Sequence, residues 1–462
     1  HSQSLDPLEI CRALSWIIPY VLFSLGSYYV VDDLTQEAKT GTLNFIRLSP
    51  RPAREILLGK LLGVPLLPLI LVLTAVPMHV ISGLSAGVSW LLLLSYYAIV
   101  GAGAVFVFML ALLVGLSGGK SALRQQRAVG AIAFSGLVLL AITPIFMSWN
   151  TEITWQSIPT GELLFRSWRT PVLVNWLYLP ISRNPWLAHL FLLGNLAVAC
   201  ALVWQMLVRQ FSLPQTTLLS KQSSYLTTAY LNALACGFLL SPWLDADDQF
   251  DSMIAIYIAN VALFGVLLFA LVSSRQQLMD WINYRARSSG IGRLRDWIWA
   301  EASPMVGAIA INFLIAAVLL VPFTWLIRSQ LDRDPISAIA LVFATLSIGV
   351  SLLTYATLVQ LIFSTKVRSP LIWAAGTVAV VAFVPPLVLG FSGYDPQEWP
   401  RLGFVWTYLG VPLMGDVATS VPPLAWVGFI GQLCLLALLW NRLSSQLRKL
   451  RLSRTAVNLP SA

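Results

Sequence analysis

The sequence predicts an all-α, polytopic membrane protein, and three observations carry that expectation. Hydrophobic residues make up 57% of the 462-residue chain and charged residues only 11%, where an ordinary soluble domain carries about 25% charged residues. Mean hydropathy is +0.77. The apolar residues gather into runs close to the ~20 residues that a helix needs to cross a bilayer. In order these are 10–31, 61–84, 88–116, 128–147, 185–208, 224–240, 252–273, 305–327, 336–364, 371–391 and 423–440, about eleven spans.

The charges between these runs alternate as the sidedness of a multi-pass protein requires. With segment 32–60 placed inside, only Arg12, Arg166, Arg169, Arg183, Arg328, Arg333 and Arg401 fall outside, leaving 22 of the 29 bases inside. Acids run the other way, with Asp245, Asp247, Asp248 and Asp251 together in one outside loop. That loop lacks the spacing and glycine of a calcium-binding EF-hand, so it reads as a solvated surface. The net charge of +9 therefore marks an anchor near anionic headgroups, above all in the basic tail 441–462, rather than a nucleic-acid arm. Cys11, Cys200, Cys236 and Cys434 lie in or beside apolar runs with no C-x-x-C spacing, which suggests neither a disulfide framework nor a metal site.

The chain reads as two pseudo-repeated halves, 1–223 and 224–462. Each has a charged inside segment (32–60, 275–304), three closely spaced runs, a long outside loop and a last run. The outside loops, 148–184 and 392–422, are rich in Trp and Pro, as expected of short helices at a membrane interface. Two runs precede the charged segment in the second half and only one in the first. Because the chain begins at His1, a helix preceding Ser2 is expected to be missing, and the parent to have twelve spans.

Segment 32–60 is the first long polar interruption. Read as one helix lying along a surface, it sets Leu34, Ala38, Thr42, Phe45 and Ile46 on one side and Asp33, Glu37, Lys39, Asn44 and Arg47 on the other. It holds Glu37, then Gly41-Thr42-Leu43, then Ser49-Pro50, then Gly59-Lys60 opening the next run. That order resembles the cytoplasmic coupling segment of the permeases of type-2 ABC exporters. The layout of the whole chain is similar to theirs, including re-entrant outside helices before the last span of each half. Segment 275–304 departs from the pattern: it has no Gly-Thr-Leu and offers Trp281, Trp297, Trp299, Glu301 and Ser303-Pro304 instead.

The resemblance implies two fused six-helix halves that rock between inward and outward access. It implies no enzymatic activity and no cofactor in this chain, with ATP and Mg²⁺ bound by a partner ATPase subunit in two copies. The ATPase-coupling residues it implies are Glu37, Gly41, Thr42, Leu43, Pro50, Arg51 and Lys60 in the first segment and Trp281, Arg285, Glu301 and Pro304 in the second. Glu37 would accept from basic groups of the ATPase, Arg51 would face its acids, and Gly41 and Pro50 would shape the backbone. Membrane lipids are the other expected partner, nucleic acid is not, and the expected location is a bacterial inner membrane. Apolar groups and amides in the spans hint at lipid-like or amphipathic cargo.

An absence points the same way. Ion-coupled carriers usually need an ionisable group in mid-span, and the apolar runs hold Arg12 alone, at an outer end. The amides Asn195, Gln205, Asn232, Asn260, Asn312, Gln360 and Gln432, with His79 and His189, are expected to hydrogen-bond within the helix bundle. Leu116-Ser117-Gly118-Gly119 and Gly119-Lys120-Ser121 imitate ATPase motifs, but a phosphate loop needs a glycine where Val114 stands and a strand where a membrane run lies. A non-transporting scaffold or assembly factor and an ion-coupled carrier are the alternative classes.

Overall fold

A computed structural model describes residues 6–117, 176–181, 185–239, 246–287, 293–330, 338–391 and 423–455. Those residues form helices and no named strand, only an isolated bridge between Trp176 and Leu179. Seven of the helices are long and apolar enough to cross a membrane. The chain divides into two compact units, His1–Pro214 and Gln215–Ala462. The run 128–147, most of the loop 148–184, the loop 392–422, the Gly119-Lys120-Ser121 tripeptide and the end of the basic tail lie outside the described residues. So do the side chains of the acidic cluster Asp245, Asp247, Asp248 and Asp251.

The first unit holds α1 (Pro7–Thr40), α2 (Thr42–Arg47), α3 (Ala53–Gly63), α4 (Leu66–Ser85), α5 (Trp90–Ser117) and α6 (Pro185–Ser212). Asp6 caps α1 by accepting from the Leu8 amide at 3.1 Å, and Pro7 occupies the first turn, where no N–H is needed. α1 packs on α4 and α5, and α5 on α6. At the α1–α5 seam a glycine on one helix receives a large side chain from the other. A Cβ on Gly26 would meet the Phe108 ring at 2.2 Å, one on Gly103 the Phe23 ring at 3.0 Å, and one on Gly115 Leu34 at 2.8 Å. Lipid tails offer no hydrophobic drive between helices, so close packing over small residues supplies the attachment.

Segment 32–60 is not one surface helix. α1 has 34 residues, or about 51 Å at 1.5 Å per residue, well beyond the ~30 Å hydrocarbon layer. Residues 32–40 are therefore its projecting last turns. The helix ends where Gly41 turns left-handed, at φ 81°, a conformation that costs any residue with a Cβ. Pro50 and Pro52 stop helix α2 from continuing, because neither can donate an N–H. The expected apolar side is broken up accordingly: Leu34 is buried, whereas Thr42 is exposed and Phe45 is 78% exposed. A second break at Val64 and Pro65 separates α3 from α4, so the span starts at Leu66 rather than 61.

The second unit holds α7 (Lys221–Leu239), α8 (Ala246–Ala270), α9 (Arg275–Arg287), α10 (Arg293–Trp299), α11 (Met305–Gln330), α12 (Ala338–Ser364), α13 (Pro370–Phe391) and α14 (Pro423–Thr455). α11 packs on α7 and α12, and α12 also on α13 and α14. The run 224–240 is helical, though α7 is not among the seven helices apolar enough to be counted as spans. α8 and α9 meet at a 71° bend, so the run 252–273 ends in a corner rather than a straight exit.

Candidate functional site

Each unit carries a polar junction where a charged segment meets its membrane helices, and a lysine stands at the centre of both. In the first unit Asp33 and Glu37 lie four residues apart on α1, so their carboxylates share one face and repel each other. Lys60, in the last turn of α3, resolves the conflict. Its Nζ donates to Asp33 Oδ2 at 2.8 Å and to Glu37 Oε1 at 2.7 Å. The lysine side chain is 11% exposed, Asp33 36% and Glu37 21%, so the bridge is half-wet. Thr42 Oγ1 donates to the Glu37 carbonyl at 3.2 Å and meets Thr40 Oγ1 at 2.8 Å, closing the end of α1 around Gly41. At the end of α2, Arg47 lies 5.6 Å from the Phe211 ring centre, and burial lowers its pKa.

The sequence-predicted residues divide in two here. Lys60 and Glu37 are joined to each other, which ties the Glu37 carboxylate inside the chain through Oε1. Leu43 is buried. Gly41, Thr42, Pro50 and Arg51 are exposed, as are Phe45, Leu48 and Arg54 beside them. α2, the turn after it and the start of α3 thus present two large apolar side chains and two arginines on a bridged support.

In the second unit the junction is drier. Lys221 is 2% exposed at the start of α7, and its Nζ donates to the Trp297 carbonyl at 3.0 Å and to Ser303 Oγ. Burial lowers its pKa to about 8, against the opposing pull of the Glu301 carboxylate. One turn on, the Tyr225 hydroxyl donates to the Ile298 carbonyl at 2.8 Å. Both carbonyls belong to the last turn of α10, where helix carbonyls lack partners and cations are favoured. Ser303 O accepts from Ser273 Oγ at 3.1 Å. Gln360 ties the rest, donating to Ser273 O at 3.0 Å and accepting the Met305 amide at 3.1 Å. Trp297 packs against Trp440, at 5.6 Å between ring centres, and lies over Gly307. Arg285 sits 5.3 Å from the Trp281 ring centre, Glu301 is half-buried and Pro304 is buried.

Sequence reasoning treated Lys221 as one more inside charge. The available signal was a stripe, since Lys221, Ser224, Tyr225, Thr228 and Asn232 recur at three- and four-residue spacing on one face of α7. That face meets Asn312, whose Oδ1 accepts from Thr228 at 2.8 Å and whose Nδ2 donates to Ser224 Oγ at 3.0 Å. Asn195, Asn232 and Asn260 instead donate to carbonyls four residues back on their own helices.

His79, in the first unit, uses both ring nitrogens. Ser15 Oγ donates its only proton to the Cys11 carbonyl, so it accepts from His79 Nε2 at 2.9 Å, which leaves Nδ1 to accept from the Tyr97 hydroxyl at 2.7 Å. His189 Nδ1 pairs with Ser95 Oγ. Among the described residues no group of three or more His, Cys, Asp or Glu side chains is placed to hold a metal ion.

These features define a multi-pass, all-helical membrane protein in which a lysine-centred junction braces the charged segment of each unit. Comparison with protein-family models, with curated proteins and with solved structures returns no match.

Proposed function

We propose that this chain is the transmembrane permease subunit of an ATP-driven exporter of the type-2 ABC class, resident in a bacterial inner membrane. Its cargo moves by alternating access, and the driving ATPase is a separate subunit, in two copies, that binds ATP and Mg²⁺. The observation that carries this reading is the elbow at Gly41. There α2, its following turn and the start of α3 expose Phe45, Leu48, Arg51 and Arg54 on a support braced by Lys60, Asp33 and Glu37. Exposed arginines beside a large ring are among the side chains on which protein partners most depend, and a braced support transmits the push of that partner to α1 and α4. The lack of acids and bases in mid-span removes the usual means of ion coupling, which also favours an external motor.

The roles of the coupling residues follow from their placement. Phe45, Leu48 and Arg51 contact the ATPase, Gly41 and Pro50 shape the elbow, and Glu37 and Lys60 hold it. The test is affinity purification in mild detergent with an ATPase assay, comparing the wild-type chain with Phe45→Asp/Arg51→Glu. Both substituted residues are exposed, so the fold is spared. Co-purification of a soluble ATPase that is lost in the variant supports the reading. A folded chain recovered alone from several detergents favours a scaffold, and substrate movement without ATP favours an ion-coupled carrier.

A further inference from the structure

Hydroxyls on membrane helices usually settle their own hydrogen bond by donating to a carbonyl one turn back. On α12, Thr345, Thr354 and Thr357 do so, to Leu341, Val350 and Leu353. Three other hydroxyls on the same helix do not. Ser347 Oγ, Ser351 Oγ and the Tyr355 hydroxyl are buried and have no partner among the described residues, and both serines are only 5% exposed. Spaced four residues apart, they form an inclined stripe that turns about 40° at each step, with a backbone rise of about 6 Å between successive members.

That face is turned away from α11. Gly349, which packs against the Phe313 ring, lies about 160° around the helix from Ser347, and Gln360, which holds the Met305 amide, is on the Gly349 side. α14 packs instead at the upstream end of the stripe. Phe343, one turn before Ser347, lies 4.8 Å from Trp426 and 5.5 Å from Phe429 between ring centres. At the other end Trp440 meets Trp297 near the Gln360 junction, so α12 and α14 run in the same direction. Gln432, buried one turn beyond Phe429, therefore comes near the level of Ser347.

A buried hydroxyl with no partner is a cost that folded proteins nearly always offset with protein groups or bound water. The spacing suits water. Two O–H···O bonds of about 2.8 Å end to end cover about 5.6 Å, close to the ~6 Å rise between Ser347 and Ser351, so one molecule can bridge the two serines, and the longer Tyr355 side chain ends the chain of water. We propose that Ser347, Ser351 and Tyr355 hold a chain of bound water along this stripe of α12, beginning beside its seam with α14. The chain of water is neutral, since no charged side chain lies on this stripe. It makes this stripe different in kind from the α7–α11 seam, where Thr228 and Asn312 bond directly. Helices joined through water can shift by exchanging water bonds, whereas directly bonded helices must break protein bonds to move.

The experiment is radiolytic hydroxyl-radical labelling of the purified chain, in which bound water generates the radical beside the residue it touches. Tyr355 is expected to be oxidised at least fivefold faster than Tyr20, which is half-buried on α1. The double variant Ser347→Ala/Ser351→Ala should lower the Tyr355 rate at least threefold and leave Tyr20 unchanged. A wild-type Tyr355 rate no higher than that of Tyr20 overturns the proposal. So does a fast Tyr355 rate that the double variant leaves intact, since the water would then not depend on the serines. The wild-type comparison needs no substitution and decides alone if the double variant does not fold.

Discussion

The two lysine-centred junctions answer one problem, holding a charged segment against membrane helices, in opposite ways. Lys60 is partly wet and is matched by two carboxylates. Lys221 is almost completely buried and rests on a carbonyl, a hydroxyl and the field of Glu301. Where water reaches, ions can pair at little desolvation cost, and the pair is worth correspondingly little. Where water is excluded, ionising the group is itself expensive, and fixed dipoles have to supply the stabilisation. The first junction is therefore an ionic brace whose strength solution conditions can tune, and the second is a hydrogen-bonded knot set by its neighbours.

The most damaging test falls on the knot. Gln360→Leu leaves the Met305 amide and the Ser273 carbonyl buried without partners, at about 1–3 kcal/mol each. A loss of about 2–6 kcal/mol is expected, seen as a lowered midpoint in thermal unfolding in detergent and as faster hydrogen exchange over 293–310. A loss as small as that of an exposed substitution would mean the knot is not closed.

A pH scan separates the two lysines next. The folded pKa of Lys221, about 8, lies below its ordinary value of 10.5. Between those values the unfolded chain binds more protons, so stability rises with pH from about 8 to about 10.5, and the penalty is fully present below 8. The shift corresponds to about 3 kcal/mol. Lys221→Met should remove this part of the pH dependence, and a variant that keeps the full slope would place its origin elsewhere.

Smaller is the effect of Lys60→Met, which leaves Asp33 and Glu37 facing each other. Partial exposure limits the expected loss to about 1–2 kcal/mol. The wild-type brace should weaken as salt is raised from 0.1 to 1 M, where the screening length falls from about 10 to about 3 Å. The Lys221 knot should hardly respond, and equal salt sensitivity at both junctions would erase the contrast. Smallest is Gly41→Ala, which forces a Cβ into the left-handed turn at about 1 kcal/mol. Nothing lies within 4 Å of that Cβ, so the whole effect is backbone strain. Its readout is the exchange rate of amides 38–46.

How much of this was legible in the sequence differs between the junctions. Asp33, Glu37 and Lys60 sit in a visibly polar segment, and the i, i+4 acid pair asks for a cation on sight. That Lys60 would answer it could not be read, because the sequence separation of 27 between Asp33 and Lys60 spans an elbow that only the turn at Gly41 specifies. The same turn overrode the single-helix reading: periodicity assumes one continuous axis, and Gly41, Pro50 and Pro52 interrupt it twice. Lys221 was harder still, since its carbonyl and hydroxyl partners come from Trp297 and Ser303, and backbone acceptors leave no mark in a sequence.

Sequence alone determined the all-helical, membrane-crossing character of the chain, because apolar runs of span length with charge at their ends have few other stable arrangements. It also pointed to amides that settle their hydrogen bonds within the helix bundle. Tertiary structure decided which glycine receives which side chain and which amide reaches which helix. It also decided that one lysine stays beside water while the other is buried, because solvation depends on what packs around a group rather than on its neighbours in the chain.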